Sequence, residues 1–117
     1  MNPGDCFIGD PTGGVNRHLY LVVAAPKQGR LAIVNFTTAK NGPHSFGVPA
    51  GYHPWLTHQS ELNFADALIV GEVELLNRIA AGEFQPQSPM SAAKLAMIQM
   101  QAKASPAIPK NVKALLP

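Results

Sequence analysis

The stretch H-L-Y-L-V-V-A-A-P-K-Q-G-R-L-A-I-V-N-F-T-T, His18–Thr38, decides the fold. Two runs rich in β-branched and aromatic residues flank the polar turn Lys27-Gln28-Gly29-Arg30, which follows Pro26. Such side chains suit a pleated surface and glycine suits the connection, so His18–Ala25 and Leu31–Thr38 should pair as a β-hairpin. These are the two core strands. Upstream, Cys6–Gly9 reads as a first strand that ends at the turn formers D-P-T-G-G. Downstream, Ser45–Val48 lies between Asn41-Gly42-Pro43 and Pro49-Ala50-Gly51, and Ala67–Val70 ends at Gly71. Five short strands with this punctuation predict a mainly β fold, a small closed or half-closed barrel.

After Gly71 the period changes. Val73, Leu76 and Ile79 recur at helical spacing and Gly82 is a natural stop, which predicts one amphipathic helix over Glu72–Ala81. Q-P-Q-S-P then reads as a linker. Ser88-Pro89 has the form of an N-cap and a first-turn proline, opening a helix to about Lys103 with Leu95, Ile98 and Ala102 on one face. Pro106 stops it, and Pro109 starts a last helical turn with Val112, Leu115 and Leu116. The expected organisation is a barrel domain with a terminal helix over residues 1–82 and a helical C-terminal extension over residues 83–117.

The chain has 117 residues, 46% of them apolar and 14% charged. That is enough for one hydrophobic core, too apolar for a disordered chain, and no run approaches the roughly 18 apolar residues of a membrane span. M-N-P-G-D-C-F-I lacks a basic region followed by a hydrophobic stretch, so no export signal is visible, and the expected location is cytoplasmic. Cys6 is the only cysteine, which excludes an intrachain disulfide and a cysteine-based zinc site. The formal net charge of +2 is too small to argue for nucleic acid by itself. Lys94, Lys103, Lys110 and Lys113 stand against Glu83 in the tail, an ordinary way to keep a helical extension solvated.

Pro3-Gly4-Asp5 at the first strand, V-V-A-A-P at the end of the second and I-V-N-F-T-T at the end of the third resemble the PemK/MazF-like superfamily, over roughly residues 3 to 75. The resemblance implies a small SH3-like barrel. Toxins of that family are metal-independent endoribonucleases, usually dimeric, inhibited by a small antitoxin protein. They use a basic residue near the start of the second strand and a Thr or Ser at the end of the third. Thr37 and Thr38 match the hydroxyl position. Leu19 or Tyr20 falls where the family has arginine and proline, with Arg17 and His18 just upstream, and the long helical tail also departs from the usual toxin.

The segment G-Y-H-P-W-L-T-H-Q-S, Gly51–Ser60, holds two of the four histidines with the only tryptophan between them. Metal-free RNA cleavage needs a base for the 2′-hydroxyl proton, donors or a cation for the charged phosphorane, and an acid for the leaving oxygen. His18, His53 and His58, with the hydroxyls of Thr37, Thr38 and Ser60, are the expected catalytic set. Arg17 and Lys40 would face phosphate, and Tyr52 or Trp55 would stack on an unpaired base of single-stranded RNA.

Structural roles stand beside these. In these, His18 is a partner for a backbone carbonyl, His53 before Pro54 shapes a turn while Trp55 plugs the barrel end, and His58, Ser60 and Asn63 form a local network. His53 and His58 lack the spacing that places two histidines on one helix face, and neither a P-loop, a G-x-G-x-x-G nor a G-x-S-x-G turn occurs, so no metal and no cofactor is expected. A second class of function is a non-catalytic binding module. In it the C-terminal helices, with Met90, Met97 and Met100, dock a partner or a second copy.

Overall fold

In the computed structural model, which describes residues 1–117, Lys27 and Arg30 exchange backbone hydrogen bonds of 2.8 and 3.1 Å around Gln28 and Gly29. Both central residues have positive φ, 53° and 75°, the turn whose twist matches that of paired strands. The hairpin therefore forms as the sequence predicts. Strand β2 (His18–Val22) pairs with β3 (Arg30–Thr38), Leu19 opposite Phe36 and Val22 opposite Ile33.

The other strands are β1 (Cys6–Gly9), β4 (Ser45–Val48), β5 (Ser60–Asn63), β6 (Leu68–Gly71) and β7 (Gln85–Gln87). All pairings are antiparallel, in the order β4-β5-β3-β2-β1-β7. Strand β6 lies off this path and pairs with the N-terminal part of β3, Leu31 opposite Val70, while β5 pairs with its C-terminal part, Thr38 opposite Ser60. A short 3-10 turn, Phe64–Asp66, separates β5 from β6. The end strands β4 and β7 do not pair, so this six-strand path is open, and with β6 the sheet has seven strands and is not a closed barrel. Two strands were not expected. β5 reads S-E-L-N, and β7 contains Pro86, tolerated because β7 is an edge strand.

Apolar residues cover both faces of the sheet. Ile8, Leu19, Leu21, Val34, Phe36 and Leu62 form the larger core with Ile98 and Ala102 of α2 (Ala92–Ala104), Val112 of α3 (Lys110–Lys113) and Leu116. On the opposite face Phe7, Tyr20, Val22, Leu31 and Ile33 pack with Leu75 of α1 (Glu72–Ala80) and with Phe84. Residues 83–117 thus share a core with the sheet, and β7 pairs directly with β1.

The predicted face of α2 is the buried one, but its cap is Ser91, whose hydroxyl accepts from the Lys94 N–H at 3.4 Å. Residues up to Met90 stay extended because β7 continues along β1 and Met90 N–H donates to the Gly4 carbonyl. In α1 the inward stripe is Leu75 and Ile79, whereas Val73 and Leu76, expected inside, are exposed. No helix is long and apolar enough to cross a membrane.

Two polar anchors set the shape at this end of the sheet. Arg78 donates to the carbonyls of Pro11 (2.8 Å) and Asp10 (3.3 Å) and to Glu83 (2.9 Å), with its guanidinium over the Phe84 ring, which ties the β1–β2 loop to α1. Glu61 accepts from the backbone N–H groups of Lys40 and Asn41, which holds the loop after β3.

A Cβ at Gly9 would fall 2.1 Å from a Phe84 ring carbon, so Gly9→Ala should displace that ring and lower stability by about 1–3 kcal/mol. An unchanged urea midpoint would show that Phe84 does not pack there. Hydrogen bonds from the Lys40 backbone, with those from Asn41, Gly42 and Ser45, outweigh burial and hold the Glu61 carboxyl below its ordinary value. A depressed folded value gives stability that is complete above the unfolded value and lost as pH falls through the folded one. Comparing thermal midpoints between about pH 7 and about pH 3, Glu61→Gln should lose less than the parent protein; parallel losses would remove Glu61 from the acid response.

Candidate functional site

Because β2 and β3 are antiparallel, the start of one and the end of the other meet at the same edge of the hairpin. Continuing the register beyond Leu19 and Phe36 puts His18 beside Thr37 on one face of the sheet, with Thr38 turned to the other. The segment after β4 folds over this end through successive turns: Gly51 N–H donates to the Leu56 carbonyl at 2.7 Å and Leu56 N–H to that of His53 at 2.9 Å. Leu56 is buried in the larger core and anchors the segment.

An open cleft of about 590 Å³ results. Arg17, His18, Thr37 and Thr38 line it from the hairpin, and Trp55, His58 and Ser60 from the segment that folds over it. Arg17 and His58 are exposed, Trp55 is 40% exposed, and Arg17 forms no ion pair. No lining residue is a carboxylate. The site is therefore cationic and rich in hydroxyls, with one aromatic face open to solvent. Ser60 is buried and donates to the His58 carbonyl at 3.0 Å, so its hydroxyl shapes the base of the cleft.

Three sequence-named residues lie elsewhere. His53 is 2% exposed. Its Nε2–H donates to the Ser88 carbonyl at 2.7 Å, and its Nδ1 accepts from the Trp55 N–H at 3.0 Å. A carbonyl only accepts and an amide N–H only donates, so these partners fix one tautomer and occupy both ring nitrogens. His53 is a strut that joins the segment to the chain before α2, and it does not face the cleft. Tyr52 packs on Phe36, with Lys94 Nζ 4.6 Å from its ring centre and donating to its carbonyl, which turns it towards α2. Lys40 is exposed outside the cleft, its backbone N–H held by Glu61.

Cys6 is buried, and burial pushes its thiol up to about 11, so it acts as a small apolar side chain. No three His, Cys, Asp or Glu side chains come together in a way that could hold a metal ion. Asn35 was not singled out by sequence reasoning. It is the one polar residue interrupting the buried run Leu31–Phe36, and that interruption was the available signal. The chain matches no family model, no curated protein and no solved structure.

His53→Ala should lower stability by roughly 1–3 kcal/mol, because it leaves the Ser88 carbonyl and the Trp55 N–H without partners. His58→Ala, at an exposed position, should stay within about 0.5 kcal/mol of the parent. Urea unfolding followed by Trp55 fluorescence distinguishes them; equal midpoints for the two variants would contradict the strut.

Proposed function

We propose that the cleft binds single-stranded RNA and cleaves it without a metal ion, as a divergent relative of the PemK/MazF-like toxins with a half-closed, SH3-like sheet. One observation carries the reading: His18 and His58, far apart in sequence, line the same solvent-open cleft as Arg17 and the Thr37–Thr38 pair. One imidazole takes the proton of a 2′-hydroxyl as that oxygen attacks the adjacent phosphorus, and the other protonates the departing 5′-oxygen. The products are a 2′,3′-cyclic phosphate and a 5′-hydroxyl end. Arg17 and the threonine hydroxyls face the charge that develops on the phosphorane, and Trp55 stacks on an unpaired base. The absence of any carboxylate from the lining supports a polyanionic ligand. The same reading places the protein in the cytoplasm, as a homodimer restrained by a small antitoxin.

A binding-only role has its own support in the solvent-facing methionines of α2, Met97 (43% exposed) and Met100 (57%), which offer soft apolar surface to a protein partner.

Purified protein incubated with a long single-stranded RNA should cut it at the same rate with and without chelator. His18→Ala and His58→Ala should each slow cleavage by roughly a hundredfold or more, and Arg17→Ala should weaken binding. Cleavage that survives both histidine substitutions would end the catalytic assignment. RNA bound but not cut would leave a binding protein, and RNA neither bound nor cut would favour the partner-docking role.

A further inference from the structure

On the other side of His18 a second cavity of about 430 Å³ opens, with Asp10, Thr12, Asn16, Tyr20, Asn35 and Asp66 as the rest of its polar lining. His18 lines both spaces, so it forms the ridge between them. Their chemistry is opposite: the cleft has no carboxylate, and the second cavity has two. Asn35 is the informative residue. It is only 7% exposed, on the sheet face it shares with its register partner Tyr20, and its side-chain amide makes no hydrogen bond within the chain. No fully buried side-chain nitrogen or oxygen in the protein lacks a partner, so the free Asn35 amide must open into the cavity it lines. That amide sits on the floor of the cavity with its oxygen and both N–H groups uncommitted within the chain, so it can donate to and accept from a ligand seated there.

The donors and acceptors define that ligand. Asp66 is exposed and takes part in no ion pair, so its carboxylate can accept two parallel hydrogen bonds. Asp10 accepts from the Thr12 N–H at 3.0 Å and from the Thr12 hydroxyl, which keeps it in place on the cavity wall. Burial, reinforced by the charges of Asp10 and Asp66, raises the Tyr20 phenol, which therefore remains a donor. A flat ligand with two adjacent N–H donors and a neighbouring carbonyl fits this set. Phosphate does not, because two carboxylates repel it.

We propose that this cavity is a base-recognition site selective for guanine, with its N1–H and N2–H₂ donating to Asp66 and its O6 accepting from Asn35 or Tyr20. The biological meaning rests on the RNA reading of the neighbouring cleft: a phosphate held at Arg17 and His18 would leave the attached base free to turn over the ridge into the second cavity.

The test uses nucleosides alone, so that it does not depend on cleavage. In a heteronuclear NMR titration of the full chain, guanosine should shift the Asn35 side-chain amide and the backbone signals of Asn16 and Asp66. It should bind roughly tenfold or more tightly than adenosine, cytidine or uridine. Asp66→Asn, an exposed substitution compatible with folding, should erase that preference. Equal shifts from all four nucleosides, guanosine shifts confined to Trp55 and His58, no shift at all, or a preference that survives Asp66→Asn would each overturn the site. Guanosine selectivity in a protein that fails to cleave RNA would sustain the site and remove the catalytic reading. Cleavage by a protein without guanosine selectivity would do the opposite.

Discussion

Strand β3 is the member on which the rest depends. It is nine residues long, bonded on one side by β2 and on the other by β5 at its C-terminal end and β6 at its N-terminal end. Shared in this way, its backbone groups are met by neighbours along most of the strand while Leu31–Phe36 are buried on both faces. A central strand with free N–H and C=O groups in that interior would be costly, so the pairing and the two cores stand or fall together. The C-terminal end of the same strand emerges from the core as Asn35, Thr37 and Thr38. The pleat turns the first two to one face and Thr38 to the other. One rigid element thus delivers polar groups to both cavities, with no flexible loop deciding where those groups stand.

The hairpin was legible because its turn chemistry and its β-branched runs point the same way. Much else depended on which surfaces each run would meet. Both faces of the sheet are covered, so β2 and β3 read as continuous apolar runs, and alternation gave no sign of which residue faces which helix. Helix α1 shows the same limit. Val73-Leu76-Ile79 and Leu75-Ile79 are both helically spaced stripes, and only contact with the sheet chooses the second. Strand β5 escaped notice because Glu61 in its middle looks like a surface residue, yet that carboxylate is needed inside to hold the turn after β3. Strand β7 was hidden by Pro86. The path from β4 to β7 stays open where a closed barrel had been one of the expected forms, since closure depends on strand ends that no local pattern describes.

In the site, the hydroxyl pair and the histidines at the hairpin mouth and beyond Trp55 were legible as residue types suited to proton transfer and phosphate contact. Their meeting follows from the antiparallel register and from the anchoring of Leu56. His53 carried the same chemical credentials and was claimed by a different partner. Ser88, whose carbonyl accepts the hydrogen bond from Nε2–H, is remote in sequence, and a histidine before proline gives no hint of it. Asn35 failed in the reverse direction: it looked like a strand residue, and its lack of a partner emerged only with the surrounding burial.

His18 stands where two electrostatic environments meet, the carboxylate-free cleft and the cavity walled by Asp10 and Asp66. The placement of Asp10 is not left to its own loop. Arg78 on α1 grips the Asp10 and Pro11 carbonyls while its guanidinium lies over Phe84, and Phe84 in turn stacks on Phe7 of β1. Packing of α1 on the sheet is therefore relayed to the wall beside His18 through one side chain. Gly9 makes the relay possible, because any larger residue would occupy the space of the Phe84 ring. The Asp10 side of that charge contrast thus depends on the smaller core, while the cleft on the other side of the ridge depends on Leu56 in the larger one, so the two cavities are shaped by packing on opposite faces of the sheet.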